Sequence, residues 1–251
     1  MLSTVQLKLT ILLVVVWLSG CASSAKPFNT PLPTLFVDKP AMQTDSWAVS
    51  WWEPRHNEKL ALAASANVDI VMLGDSITHF WETDGADVWQ EYYADKNAFN
   101  LGFSGDRTEH VLWRLEHGAV AEISPKLVVL MIGTNNTGHR MDPAAYTAIG
   151  VSAIVTELRE RLPESKILLL GIFPRAYSPY NEMRLRNVEI NKKISDLDDA
   201  KNIFYLDIGN IFLAADGTIR ADLMPDYLHP NAEGYALWAA AMQPAIERLL
   251  K

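Results

Sequence analysis

Cysteine is nearly absent from this chain: Cys21 is the only one in 251 residues. No disulfide can form within one chain, so stability has to come from burial and hydrogen bonding. Positive charge is also short. Lys and Arg number 22 against 30 Asp and Glu, a formal net charge of −8, and the basic residues are scattered among acids instead of clustered. That balance makes nucleic acid an unexpected partner. A membrane-length apolar run is missing too: residues 9–18, after Lys8, fall short of the roughly 20 needed for a comfortable span and fit a signal-peptide core instead. No internal repeat is visible. His229 has no second His or Cys near it, so neither a metal nor a cofactor is expected.

The lone cysteine closes the segment Leu18-Ser19-Gly20-Cys21, whose spacing resembles a bacterial lipobox. On that reading residues 1–20 are a signal peptide and Cys21 carries the lipid that holds the protein to a bilayer. The alternative is a small-residue cleavage site that simply discards Cys21. Residues 21–40 contain Pro27, Pro31, Pro33 and Pro40 among small polar residues and read as a tether. Ala22 is not acidic, which by lipoprotein sorting habit favours the outer over the inner membrane if the source is Gram-negative. Residues 41–251 fit one domain.

Within that domain, apolar runs at 68–73, 98–101, 127–132, 166–171 and 203–206 alternate with helical patterns. The alternation predicts an α/β fold: a single doubly wound, flavodoxin-like sheet of five parallel strands covered by helices on both faces. Helices are predicted over 108–117, ended by Gly118, over 143–162, opened by Pro143, over 181–197, and from Asn231 onward. Such sheets bind ligands beyond the carboxyl ends of their strands.

Three of the runs end in residues with chemical potential. Gly74-Asp75-Ser76 follows the first, Gly102-Phe103-Ser104-Gly105-Asp106-Arg107-Thr108 the second, and Gly133-Thr134-Asn135-Asn136 the third; Asp226 and His229 lie three apart near the end. A serine hydroxyl needs a base to take its proton, and the base needs a carboxylate to orient it. Glycine lets a backbone N–H approach a reacting carbonyl, and an Asn side chain offers a second donor. Each piece alone has a plain reading: Asp75 capping a helix, Gly105 and Asn135 in turns, Asp226 and His229 starting a helix or ligating a metal.

Together the four blocks resemble the SGNH (GDSL-type) hydrolase superfamily, and the stretch from Gly102 to Asn136 is similar to the catalytic subunits of the intracellular platelet-activating-factor acetylhydrolase and their bacterial relatives. The resemblance implies a carboxylic ester hydrolase with Ser76 as nucleophile, His229 as base and Asp226 as its orienter. It further implies an oxyanion hole built from the Ser76 and Gly105 backbone N–H groups and the Asn135 side chain. Possible substrate contacts are Asp75, Arg107, Arg175 and Trp81, although Arg175 also fits a carbonyl cap. Trp47 and Trp51, four apart, fit the core-facing side of a helix, with a sugar-stacking or acyl-binding wall as the alternative. Asn181-Glu182-Met183-Arg184-Leu185-Arg186 reads as a solvated helix face. The expected substrate is a short acyl ester, O-acetylated carbohydrate ahead of phospholipid. An acyltransferase on the same fold and a non-catalytic glycan-binding lipoprotein stay open.

Overall fold

Runs of aliphatic residues become five strands: β1 Ile70–Gly74, β2 Ala98–Gly102, β3 Leu127–Met131, β4 Lys166–Leu170 and β5 Ile203–Leu206. The structure is a computed structural model and describes residues 36–251. The signal peptide, Cys21 and most of the tether read from the sequence lie outside the described residues. All strand pairings are parallel, in the order β2-β1-β3-β4-β5. This is the doubly wound, flavodoxin-like arrangement, with its switch point between β1 and β3.

Eight α-helices are formed among the described residues: α1 Trp52–Ala63, α2 Ser76–His79, α3 Ala86–Tyr92, α4 Thr108–Glu116, α5 Thr134–Arg140, α6 Ala144–Arg161, α7 Glu182–Ile194 and α8 Ala232–Leu249. Side chains of a strand alternate between faces, and the core divides accordingly. Val71, Leu73, Val128, Leu130, Ile167 and Leu169 meet Val111 and Leu115 of α4, Ile154 and Leu158 of α6, and Ile190 of α7. Ile70, Met72, Leu127, Val129, Leu168 and Leu170 meet Val88 of α3 and Tyr235, Trp238, Met242 and Ile246 of α8. Every residue of β1 and β3 is buried. At about 1.5–3 kcal/mol for each fully buried aliphatic side chain, this two-sided burial drives the fold.

Helix starts follow their sequence signals. Asn181 accepts the N–H of Met183 at the head of α7, Asn231 accepts that of Gly234 at the head of α8, and Pro143 precedes α6.

Three expectations are corrected. The packed domain begins before residue 41, because Val37 is buried and the Ala41 N–H donates to the Glu109 carbonyl (3.0 Å). Arg184 is buried, not solvated, and donates to the carbonyls of Arg175, Ala176 and Gly217. Trp47 does not face the core but is 48% exposed, and Trp51 is only half-buried, packed against the cluster of Ala48, Trp52 and Phe103. Helix α1 begins only at Trp52, so their four-residue spacing is not a helical one, and Trp52 is the buried indole.

Candidate active site

Ser76 is the first residue of α2, in the sharp turn that follows β1. The Asp75 carboxylate accepts the Ile77 N–H (3.0 Å) and so caps α2, while the Tyr235 hydroxyl of α8 donates to the Ile77 carbonyl (2.6 Å). With its turn fixed from both sides, Ser76 presents Oγ 2.9 Å from Nε2 of His229, a residue 153 positions away.

One carboxylate holds that imidazole in two ways. Asp226 Oδ1 accepts the N–H groups of Leu228 (3.0 Å) and His229 (2.7 Å) and closes the turn, with Tyr227 at φ 59° between them. Its other oxygen, Oδ2, lies 2.6 Å from His229 Nδ1. The three-residue spacing therefore lets Asp226 shape the backbone and select the tautomer with hydrogen on Nδ1. Burial alone would raise the Asp226 pKa, but the backbone and ring N–H groups of His229 outweigh it and hold the carboxyl below its usual range. An imidazole so held can accept the serine proton through Nε2.

The strands on either side of β1, β2 and β3, end on the same edge of the sheet as the turn that carries Ser76. Gly105 follows β2 at φ 75°, a backbone region that disfavours side chains, and its α-carbon lies under the Trp47 ring. Gly133, at φ 125°, starts α5, which carries Asn135. Among the described residues, neither the Ser76 N–H nor the Gly105 N–H donates to another protein group. Asn135 Nδ2 donates to the Asp106 carbonyl (3.0 Å), which uses one amide hydrogen and leaves the second. The same bond ties the Gly105 loop to α5.

A fully buried ion pair lies behind that loop. Arg114 of α4 donates Nε to Asp106 Oδ2 (2.9 Å), reaches the carbonyls of Leu101 and Gly74 at the ends of β2 and β1, and lies over the Phe103 ring (4.0 Å). Trp52 Nε1 donates to Asp106 Oδ1 at 2.6 Å. Burial pushes the Asp106 carboxyl up to about 6 against the opposing pull of Arg114. The pair anchors the ends of β1 and β2 and the loop that carries Gly105.

The other histidines nearby are committed to structure. His79 Nδ1 lies 3.0 Å from Ser104 Oγ, and burial with Arg55 lowers its pKa to about 4. His110 holds the Arg107 N–H (3.1 Å), and burial with Arg107 lowers it to about 3. Among the described residues no group of three or more His, Cys, Asp or Glu could hold a metal ion, and no helix is long and apolar enough to cross a membrane.

A model of the GDSL-like lipase/acylhydrolase family matches residues 72–237. The platelet-activating factor acetylhydrolase IB subunit alpha1 of Homo sapiens is 34% identical over 215 residues, covering 85% of this chain and 90% of the relative. The chain belongs to the GDSL-like lipase/acylhydrolase family. It is a carboxylic ester hydrolase. The fold is shared with a GDSL-like lipase from Bacteroides thetaiotaomicron (TM-score 0.66, 22% identity, 79% of this chain and 98% of that one). It is also shared with an acetylxylan esterase from Geobacillus stearothermophilus (TM-score 0.57, 17% identity, 74% and 94%).

Within this family framework, the residues read from sequence as possible substrate contacts need correction. Asp75 is 1% exposed and spends its carboxylate on the α2 cap; burial pushes it up to about 7. Trp81 belongs to the core beneath the site, its ring 4.5 Å from Tyr235 and 4.8 Å from Trp238. Arg107 is occupied by Glu109, Asp45, His110 and His139. Arg175 donates to the carbonyl (2.6 Å) and hydroxyl (3.2 Å) of Thr134, the carbonyl-capping alternative, and steadies the first turn of α5. Sequence reasoning missed Asp106, Arg114 and Trp52. Asp106 lay beside Gly105 in plain view, but nothing in the sequence distinguishes a buried arginine from a surface one.

Proposed function

We propose that this enzyme removes short acyl groups, acetyl above all, from O-acetylated carbohydrate, using Ser76, His229 and Asp226. The observation that carries the reading is the continuous line from Ser76 Oγ to His229 Nε2 (2.9 Å) and from His229 Nδ1 to Asp226 Oδ2 (2.6 Å). Ser76 Oγ attacks the ester carbonyl carbon while its proton passes to His229 Nε2. The carbonyl oxygen becomes an oxyanion held by the N–H groups of Ser76 and Gly105 and the second amide hydrogen of Asn135. As the tetrahedral species collapses, the alcohol leaves with the proton from Nε2, and Ser76 keeps the acyl group. Water then repeats the cycle: His229 takes its proton, the acid departs and Ser76 recovers its hydrogen. Asp226, held ionised, stabilises the imidazolium in both halves.

The carbohydrate preference is supported by exposed indole surface at the site mouth, with Trp47 48% exposed. A second reading, a short-acyl phospholipid, is favoured by the 34% identity to a platelet-activating factor acetylhydrolase subunit. Assaying the soluble protein from residue 36 onward on acetylated xylan, acetylated sialic acid and a short-acyl glycerophosphocholine separates the two. Release of acetate from the glycans alone supports the first reading; turnover of the phospholipid alone replaces it with the second.

Export and lipidation at Cys21 form part of the same proposal. They rest on the Leu18-Ser19-Gly20-Cys21 segment, which would place the catalytic domain at a membrane surface, the outer membrane in a Gram-negative cell.

A further inference from the structure

The mouth of this site offers more aromatic surface than an acetyl group can use. Trp47 covers Gly105 with one side of its ring, remains 48% exposed, and stands 6.2 Å from the Trp51 ring. Trp51 donates its indole N–H to the Trp47 carbonyl (3.1 Å), which fixes the pair. The aromatic rim then continues to the catalytic centre: Trp51 lies 6.0 Å from His79, His79 lies 6.0 Å from Phe80, and Phe80 lies 5.1 Å from His229. Beside Trp51 opens a cleft of about 480 Å³ lined by Ser50, Trp51, Pro54, Arg55, Glu58 and His79.

We propose that this cleft is a subsite for the alcohol side of the ester, binding a sugar ring next to the acetylated one in an oligosaccharide. The inference rests on the carbohydrate reading above and deepens it. A pyranose presents an apolar face of C–H groups and an edge of hydroxyls. The Trp51 ring matches the face, as an apolar plate with a polarisable π surface. Exposed Ser50 and Glu58 match the edge, offering a hydroxyl and a carboxylate. Arg55 is held by Glu82 (2.9 Å) and the Gly102 carbonyl (3.2 Å), which gives the cleft a rigid wall.

An acyl chain fits these walls poorly, because it would desolvate Glu58 and Arg55 without replacing their hydrogen bonds. A phosphate headgroup would meet the Glu58 carboxylate on a protein of formal net charge −8. The walls Ser50 to Glu58 also lie outside residues 72–237, the part matched by the family model.

The test compares wild type, Trp51→Ala, Trp51→Phe and Glu58→Ala on an acetylated xylotetraose, an acetylated xylose, a short-acyl glycerophosphocholine and ethyl acetate, which has no ring to stack. Wild type should prefer the tetraose to the monosaccharide. Trp51→Ala should raise KM for the tetraose about tenfold with kcat held within about twofold, a loss several times larger than on ethyl acetate. Trp51→Phe should recover most of it, and Glu58→Ala should raise KM in the same direction by a smaller factor. Equal losses on tetraose and ethyl acetate would overturn the subsite, showing that the indoles act by bracing the Gly105 loop. So would a loss confined to a short-acyl glycerophosphocholine, which would turn the rim toward lipid. A wild type that cleaves the tetraose no better than the monosaccharide overturns the subsite alone. One that cleaves ethyl acetate but neither saccharide overturns the carbohydrate reading with it.

Discussion

Asn135→Ala removes one side chain with two separable roles, a tie to Asp106 and the proposed oxyanion contact, and a size attaches to each. Its Nδ2 donates to the Asp106 carbonyl at 3.0 Å, and Asn135 is only 5% exposed. Deleting the amide leaves that carbonyl without its side-chain donor, a loss of about 1–3 kcal/mol. For a domain of this size that is a Tm drop of roughly 2–12 °C. In the proposed mechanism the second amide hydrogen is the oxyanion donor. Loss of one such donor costs on the order of 10² to 10³ in kcat, about 2.7–4 kcal/mol, because the bond matters most once charge has developed on oxygen. Steady-state kinetics on a soluble acetate ester, well below the variant's Tm, should show kcat down by about that factor and KM within about threefold. A raised KM at unchanged kcat would refute the assignment and make Asn135 a ground-state binding group. A lowered Tm with unaltered kinetics would leave it a structural tie only.

Other outcomes follow from the same contacts. Gly105→Ala places a methyl group against the Trp47 ring at φ 75°, adding about 1–2 kcal/mol of backbone strain to a clash; kcat should fall at least tenfold, and adding Trp47→Ala should restore part of it, which absence of any rescue would contradict. Burial pushes Asp75 up to about 7, whereas an unfolded Asp titrates near 3.9, so between about pH 4 and 7 the folded chain holds a proton the unfolded chain has lost. Stability should fall as pH rises through that window, by at most about 1.4 kcal/mol per unit from this group. Asp75→Asn should flatten the slope in denaturant titrations, leaving the contribution of Asp106, raised to about 6; an unchanged slope would show that Asp75 stays ionised. Full-length protein expressed in a bacterial host should fractionate with membranes carrying a lipid-modified N-terminus, and Cys21→Ser should abolish the modification; an unmodified wild-type N-terminus by mass spectrometry would refute anchoring.

The sheet was legible because its code is local. Residues 127–132 are an unbroken apolar run, as a strand buried on both faces requires, and Asn181, Asn231 and Pro143 announce helices through their own side chains and backbone. The positions of Ser76, Asp226 and His229 were legible for the same reason, since each sits at a turn its neighbours define. Contacts across long separations were not. Trp81 reads as an aromatic beside the nucleophile, yet the Tyr235 and Trp238 of α8 that bury it are more than 150 residues away. Trp47 misleads through periodicity, because its spacing from the half-buried Trp51 suggests a shared helix face while α1 starts after both. Arg114 and Arg184 look like solvent-facing charges in helical patterns. Only the strand ends and carbonyls brought to them by the fold explain their burial.

The proposed mechanism requires Ser76 to be the one nucleophile activated by His229. Incubating the protein with a fluorophosphonate, which bonds phosphorus to an activated serine oxygen and expels fluoride, and mapping the adduct by peptide mass spectrometry tests this directly. The expected result is a single adduct on Ser76, formed at least a hundredfold more slowly in His229→Ala and absent in Ser76→Ala, whose esterase turnover falls by several orders of magnitude with an unchanged melting profile. An adduct on another residue, or wild-type turnover by a folded Ser76→Ala, would contradict it.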